Sequence, residues 1–146
     1  MNRFAKLLGV LVLLAAFSTL AAGSDNYAGM SKEKYDAAVA NLLIGLHSDN
    51  LGLSTSCAFM LGELKADKAV VPLMAMLKSD KPECCRIVTA LALCRIGDAR
   101  GVYAVKRAVT FDPSTAVQQK CAWFYDQFVQ PGSYEFVTTP NAVASK

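Results

Sequence analysis

Cys57-Ala58-Phe59-Met60-Leu61 returns 32 residues later as Thr89-Ala90-Leu91-Ala92-Leu93, and again as Cys121-Ala122-Trp123-Phe124-Tyr125. The match widens in both directions. Leu64, Ile96 and Phe128 fall on one another, as do Val70 with Val102, Leu73 with Val105, Leu77 with Val109 and Asp80 with Asp112. At an offset of 31, Leu42 to Asp49 aligns with Leu73 to Asp80 without a gap. A fixed period of this length marks stacked supersecondary units, each unable to bury its own apolar face. The units run over about 35–66, 67–98 and 99–130.

Each unit reads as two helices. The first carries apolar residues at i, i+3 and i+7: Val39, Leu42, Leu46, then Val70, Leu73, Leu77, then Val102, Val105, Val109. That spacing is one face of a helix with 3.6 residues per turn. Asp49, Asp80 and Asp112 follow, and Asp accepts hydrogen bonds from the free N–H groups at a helix start. Pro82 and Pro113 are expected just inside the second helices, where a missing N–H costs little. The expected core face of the second helices is Leu53, Cys57, Met60, Leu64; Cys85, Thr89, Ala92, Ile96; and Val117, Cys121, Phe124, Phe128. Ala58, Ala90 and Ala122 lie beside it, small enough for neighbouring helices to approach closely. Ser31 can cap the first helix, and Pro131-Gly132 stops the last one. Tyr134 to Thr139 has a weak strand-like pattern.

The segment Cys85-Arg86-Ile87-Val88-Thr89-Ala90-Leu91-Ala92-Leu93-Cys94-Arg95-Ile96-Gly97-Asp98 resembles the second helix of a HEAT repeat, of the short type found in phycobilisome lyases and many bacterial scaffold proteins. Leu61-Gly62-Glu63-Leu64 and Ala69-Val70-Val71-Pro72-Leu73 also fit that pattern, and the likeness covers residues 31–130. It implies an all-α fold, a right-handed α-solenoid of three helical hairpins. The family's second-helix Arg occurs only as Arg86; Ser54 and Gln118 replace it. Asp126 stands where a small residue is expected, consistent with a terminal repeat whose outer face meets solvent.

Residues 1–23 read as a secretory signal: Arg3 and Lys6, an apolar run from Leu7 to Phe17, then Ala21 and Gly23 at a cleavage site before Ser24. The run is too short for the roughly 20 apolar residues of a membrane span, so no stable membrane anchor is expected after removal. Residues 24–30 are then a polar lead and 131–146 a C-terminal tail. The whole chain has 146 residues, 53% of them apolar, and a net charge of +3. Without Arg3 and Lys6, thirteen bases stand against twelve acids, and no run of five like charges occurs. No nucleic-acid partner is expected. The expected location is periplasmic or secreted.

Candidate chemistry is sparse. Five cysteines in an exported chain could form disulfides. Cys57 and Cys121 lie two repeats apart, at about twice the 8–10 Å spacing of packed helices, beyond the roughly 7 Å a disulfide allows. The preferred reading is small buried hydrophobes at tight contacts; a cross-repeat bond from Cys84 or Cys85 is the alternative. His47, the only histidine, reads as a cation at a helix C-terminus. Glu63, Arg95 and Gln127 are equivalent positions of different chemistry, so no charged ladder is expected. Neither a metal set nor a catalytic constellation is visible, and no cofactor is expected.

Positions 59, 91 and 123 are Phe, Leu and Trp. At about 100° per residue they lie on the side of the second helices away from the expected core face. Ile87 and Val88 share that side. An apolar stripe with a polar rim has the anatomy of a partner site, and Trp is enriched at hot spots. Two other arrangements fit the same residues: the tail with Tyr134, Phe136 and Val137 folded over the stripe, or burial between second helices by tight curvature. The expected function is a non-catalytic protein- or peptide-binding scaffold that uses Phe59, Ile87, Val88, Leu91 and Trp123. The resemblance also implies an alternative, a lyase-like enzyme or chromophore-binding protein.

Overall fold

The structure, a computed structural model, describes residues 29–134. The expected signal sequence, its cleavage site, Phe136, Val137 and most of the strand-like segment lie outside the described residues. Those described form an all-α fold of six α-helices: α1 (Lys32–Leu46), α2 (Leu51–Glu63), α3 (Val70–Leu77), α4 (Glu83–Ile96), α5 (Ala99–Phe111) and α6 (Thr115–Phe128). A 3₁₀ turn at Asp67–Ala69 leads into α3. Consecutive helices pack in pairs, α1 on α2, α3 on α4 and α5 on α6. Helix α4 is the centre of the fold, in contact with α2, α3, α5 and α6. No helix among the described residues is long and apolar enough to cross a membrane.

Three of the helix starts are capped by residues next to those expected. Ser31 Oγ accepts from Lys34 N–H as foreseen. The cap of α2 is Asn50, not Asp49, and its side chain accepts from Leu53 N–H at 3.1 Å. The cap of α4 is Pro82, which lies one place before the helix and offers no side-chain acceptor. The cap of α6 is Ser114, one residue after Pro113. Asp112 is buried, and its carboxylate is shared between Ser114 N–H and Arg86. At the other end of α4, Gly97 adopts φ 78°, a left-handed turn that only glycine enters without strain.

The first-helix face holds as expected: Val39, Leu46, Val70, Leu73, Leu77 and Val105 are buried, with Leu42, Val102 and Val109 half-buried. The second-helix face needs correction in the first unit. There the buried side of α2 is Ser54, Cys57, Ala58, Leu61 and Gly62. Leu53 and Met60, expected in the core, are 49% and 44% exposed. Their equivalents Cys85, Ala92, Val117 and Phe124 are buried, because in the later units the preceding second helix covers them. Phe128 is also exposed, at the last position of its helix; the equivalent Leu64 and Ile96, likewise at helix ends, are half-buried. Ala58, Ala90 and Ala122 are buried. A tight backbone approach lies one turn beyond them, where a Cβ on Gly62 would sit 2.6 Å from Ala92 Cα.

Candidate functional site

Helices α2, α4 and α6 lie side by side, α4 between the others. Their repeat geometry sets Phe59, Leu91 and Trp123 on one side of the molecule. Phe59 is 39% exposed and Trp123 44% exposed. Leu91, Ile87 and Val88, expected to be open, are half-buried and packed against the core. The physical reason is position: α4 has a neighbour on each flank, and the close approach at Gly62 draws α2 over it.

A second feature completes this surface. Arg95 follows Leu91 by one helical turn. Its guanidinium carbon sits 5.0 Å from the Phe59 ring centroid and 5.8 Å from that of Phe128. Arg95 also pairs with Glu63 of α2. The expectation that positions 63 and 95 form no ladder is thus corrected for this pair; Gln127 does not extend it. A guanidinium over two aromatic faces holds them by cation–π attraction, about 0.5–1 kcal/mol each at exposed sites. At the other flank, Lys120 Nζ lies 6.0 Å from the Trp123 ring centroid, and Trp123 meets Phe124 edge-on at 5.4 Å. The surface therefore carries two aromatic–cationic groups, Phe59 and Phe128 around Arg95, and Trp123 beside Lys120.

Arg95 and Phe128 were the members that sequence reasoning missed. A signal existed for the first. Glu63 and Arg95 each lie four residues after a stripe residue, and opposite charges at equivalent positions of adjacent repeats can meet across the helix interface.

The described start of the tail turns away from Trp123. Asp126 is buried, and its carboxylate accepts from Ser133 N–H at 2.9 Å and from Tyr134 N–H at 3.5 Å. The outer side of the last unit at Asp126 thus meets the chain's own backbone, where solvent was expected. The Tyr134 ring packs edge-on against Tyr125, with centroids 5.8 Å apart. Tyr125 and Trp123 are two residues apart in one helix, about 200° around it, so Tyr134 lies on the far side of α6 from the stripe.

All five cysteines are free, and only Cys84 is exposed. Cys84 and Cys85 hold their sulfurs 3.9 Å apart, and Thr55 Oγ1 donates to Cys85 Sγ. Burial pushes the thiols of Cys94 and Cys121 up to about 12, far from thiolate chemistry at neutral pH. His47 is the exposed C-cap of α1. Arg86 holds Asp112 through two hydrogen bonds, at 3.1 and 2.9 Å, and also donates to Lys81 C=O. The Asp112 carboxylate favours the guanidinium and raises its pKa further. This pair lines a groove of about 410 Å³ shared with Lys78, Arg107 and Phe111. Among the described residues no group of three or more His, Cys, Asp and Glu is placed to hold a metal ion. A scan of the chain against protein-family models finds no match, and a search of curated proteins finds none either.

Proposed function

We propose that this chain is a non-catalytic protein- or peptide-binding module of the cell envelope or secreted space. In this reading it is built as a short HEAT-like, right-handed solenoid and binds through its second-helix face. The three-fold repeat in sequence and the pairwise packing of the helices support the architecture. The signal-like residues 1–23 support the location. The observation that carries the binding face is the exposure of Phe59 and Trp123 on one side of the molecule, each beside a cation, with Leu91 between them. A partner that covers these two rings gains the burial of the part of each still open to water. Phe59, Trp123 and the outer parts of Ile87, Val88 and Leu91 form the contact.

The test uses the two exposed rings, because Leu91 is coupled to the core. Trp123→Ser and Phe59→Ser should each cost no more than about 1–2 kcal/mol of folding stability, the scale of one exposed cation–π contact and partial ring burial. At least one should weaken capture of the partner from the native envelope fraction by about 2 kcal/mol or more, the scale of an interface anchor. Strong unfolding of Trp123→Ser, or full capture by the double variant, would sink the reading.

A further inference from the structure

Cys84 and Cys85 lie in the first turn of α4. Successive side chains on a helix diverge by about 100°, so neighbouring cysteines do not meet as a matter of course. Here they turn toward each other, with Sγ atoms 3.9 Å apart. Cys85 is buried, and Thr55 Oγ1 of α2 donates to its Sγ at 3.1 Å. Cys84 is exposed, so the pair of sulfurs is reached from water on its side. The helix also keeps the two thiols from closing on each other. Cα atoms joined by a trans peptide stand about 3.8 Å apart, below the roughly 4.4–6.8 Å that a disulfide spans. Forming that bond would take apart the first turn of α4, in which the N–H groups of Cys85 and Arg86 bond to Pro82 C=O.

Two sulfurs held together in this way form a chelate for a soft cation. Metal–sulfur bonds of about 2.3 Å that meet at about 120° span about 4.0 Å, close to the 3.9 Å observed. The number of ligands selects the ion. Among the described residues no group of three or more His, Cys, Asp and Glu is placed to hold a metal. A structural zinc site, which takes four ligands, would be two short, whereas Cu(I) is satisfied by three soft ligands. Charge agrees. Two thiolates around Cu(I) leave a net negative charge at the start of a 14-residue helix whose Pro82 cap supplies no side-chain acceptor, where an anion is favourable. Glu83 shares that turn but is exposed, so water screens its charge.

We propose that Cys84 and Cys85 bind one Cu(I) ion as thiolates at the seam of α2 and α4, with a third position open on the Cys84 side to a thiol from outside the chain. Each cysteine gives up its thiol proton to water when its sulfur binds. The copper stays Cu(I) throughout, and no sulfur is oxidised. Thr55 is a positioning residue: its hydroxyl donates to Cys85 Sγ and holds that sulfur beside Cys84. One exchangeable ligand suits the site to receiving the ion and passing it on. The site is independent of the second-helix binding face.

The test is a Cu(I) titration of the reduced full chain under anaerobic conditions, with the cuprous chelator bicinchoninic acid as competitor. One equivalent should bind. X-ray absorption should show two sulfur neighbours at about 2.3 Å, and three once a small thiol is added. Cys84→Ser should raise the dissociation constant by at least about a hundredfold, with helical circular dichroism unchanged because Cys84 is exposed. Cys85→Ser should do the same where it folds. Thr55→Val should weaken binding by about tenfold, the scale of one hydrogen bond to a charged group. Cys57→Ser should leave it unchanged. A chelator that retains all the copper overturns the proposal. So does Cu(I) bound through one sulfur of the chain, or bound equally well by Cys84→Ser, which would put the ion on other groups, those outside the described residues included. Recovery of the native chain with Cys84 locked in a disulfide to another thiol overturns it as well.

Discussion

Asp112 shows how much one carboxylate can carry. It sits between α5 and α6, holds Arg86 through both oxygens and still accepts Ser114 N–H, with both charged side chains nearly closed to water. Removing it strands a guanidinium in the interior. Asp112→Ala should therefore cost about 3–5 kcal/mol, the scale of breaking a buried pair from one side. Urea denaturation of the purified chain measures this, and a loss below about 1 kcal/mol would show that water reaches Arg86. The sequence placed Asp112 correctly at a turn after a first helix. Its partner lies 26 residues back on another helix, and no local spacing announces that pairing. The same limit applied to Arg95, whose aromatic neighbours come from two different helices.

At the scale of elements, the spacing of α2 and α4 is set by one missing side chain. A Cβ at Gly62 would fall 2.6 Å from Ala92 Cα and 2.8 Å from its Cβ, both atoms that cannot rotate away. Ala has the better helix propensity by about 1 kcal/mol. Overpacking of this kind costs about 1–3 kcal/mol, and α2 must move outward to relieve it. Gly62→Ala should therefore be net destabilising, by up to about 2 kcal/mol, measured by denaturant midpoint at unchanged m-value. A stabilised variant would mean that the helices already stand further apart. The helices themselves were legible from the i, i+3, i+7 pattern and the repeat. The one-sided burial of α2 was not. Applying one repeat phase to all three units placed Leu53 and Met60 inside, but burial at those positions depends on a preceding hairpin.

For the whole molecule, the contacts of α4 make the three hairpins interdependent. It touches four other helices, so no hairpin keeps its apolar face covered once another is lost. Leu73 lies fully buried on α3, which packs against both α4 and α5. Leu73→Ala should cost about 2–5 kcal/mol, and the described helices should unfold in one transition, because each unit's core face is completed by its neighbours. Coincident denaturation curves from far-ultraviolet circular dichroism and Trp123 fluorescence check this. Separate transitions would show that one hairpin stands alone.

The sequence alone determined that the described residues are helical and which side of the first helices is buried. These follow from local periodicity, which the backbone geometry of a helix converts directly into faces. It also singled out Phe59 and Trp123, because repeat equivalence carries an outward position from one unit to the next. Only the tertiary structure decided how open each position is. Leu91 is half-closed because two helices flank it, Leu53 and Met60 are open because among the described residues no second helix of an earlier unit lies beside theirs, and Arg95 joins the aromatic surface because α2 and α6 bring rings to either side of it. Exposure belongs to the space between elements, and that space is set by contacts between residues far apart in the chain.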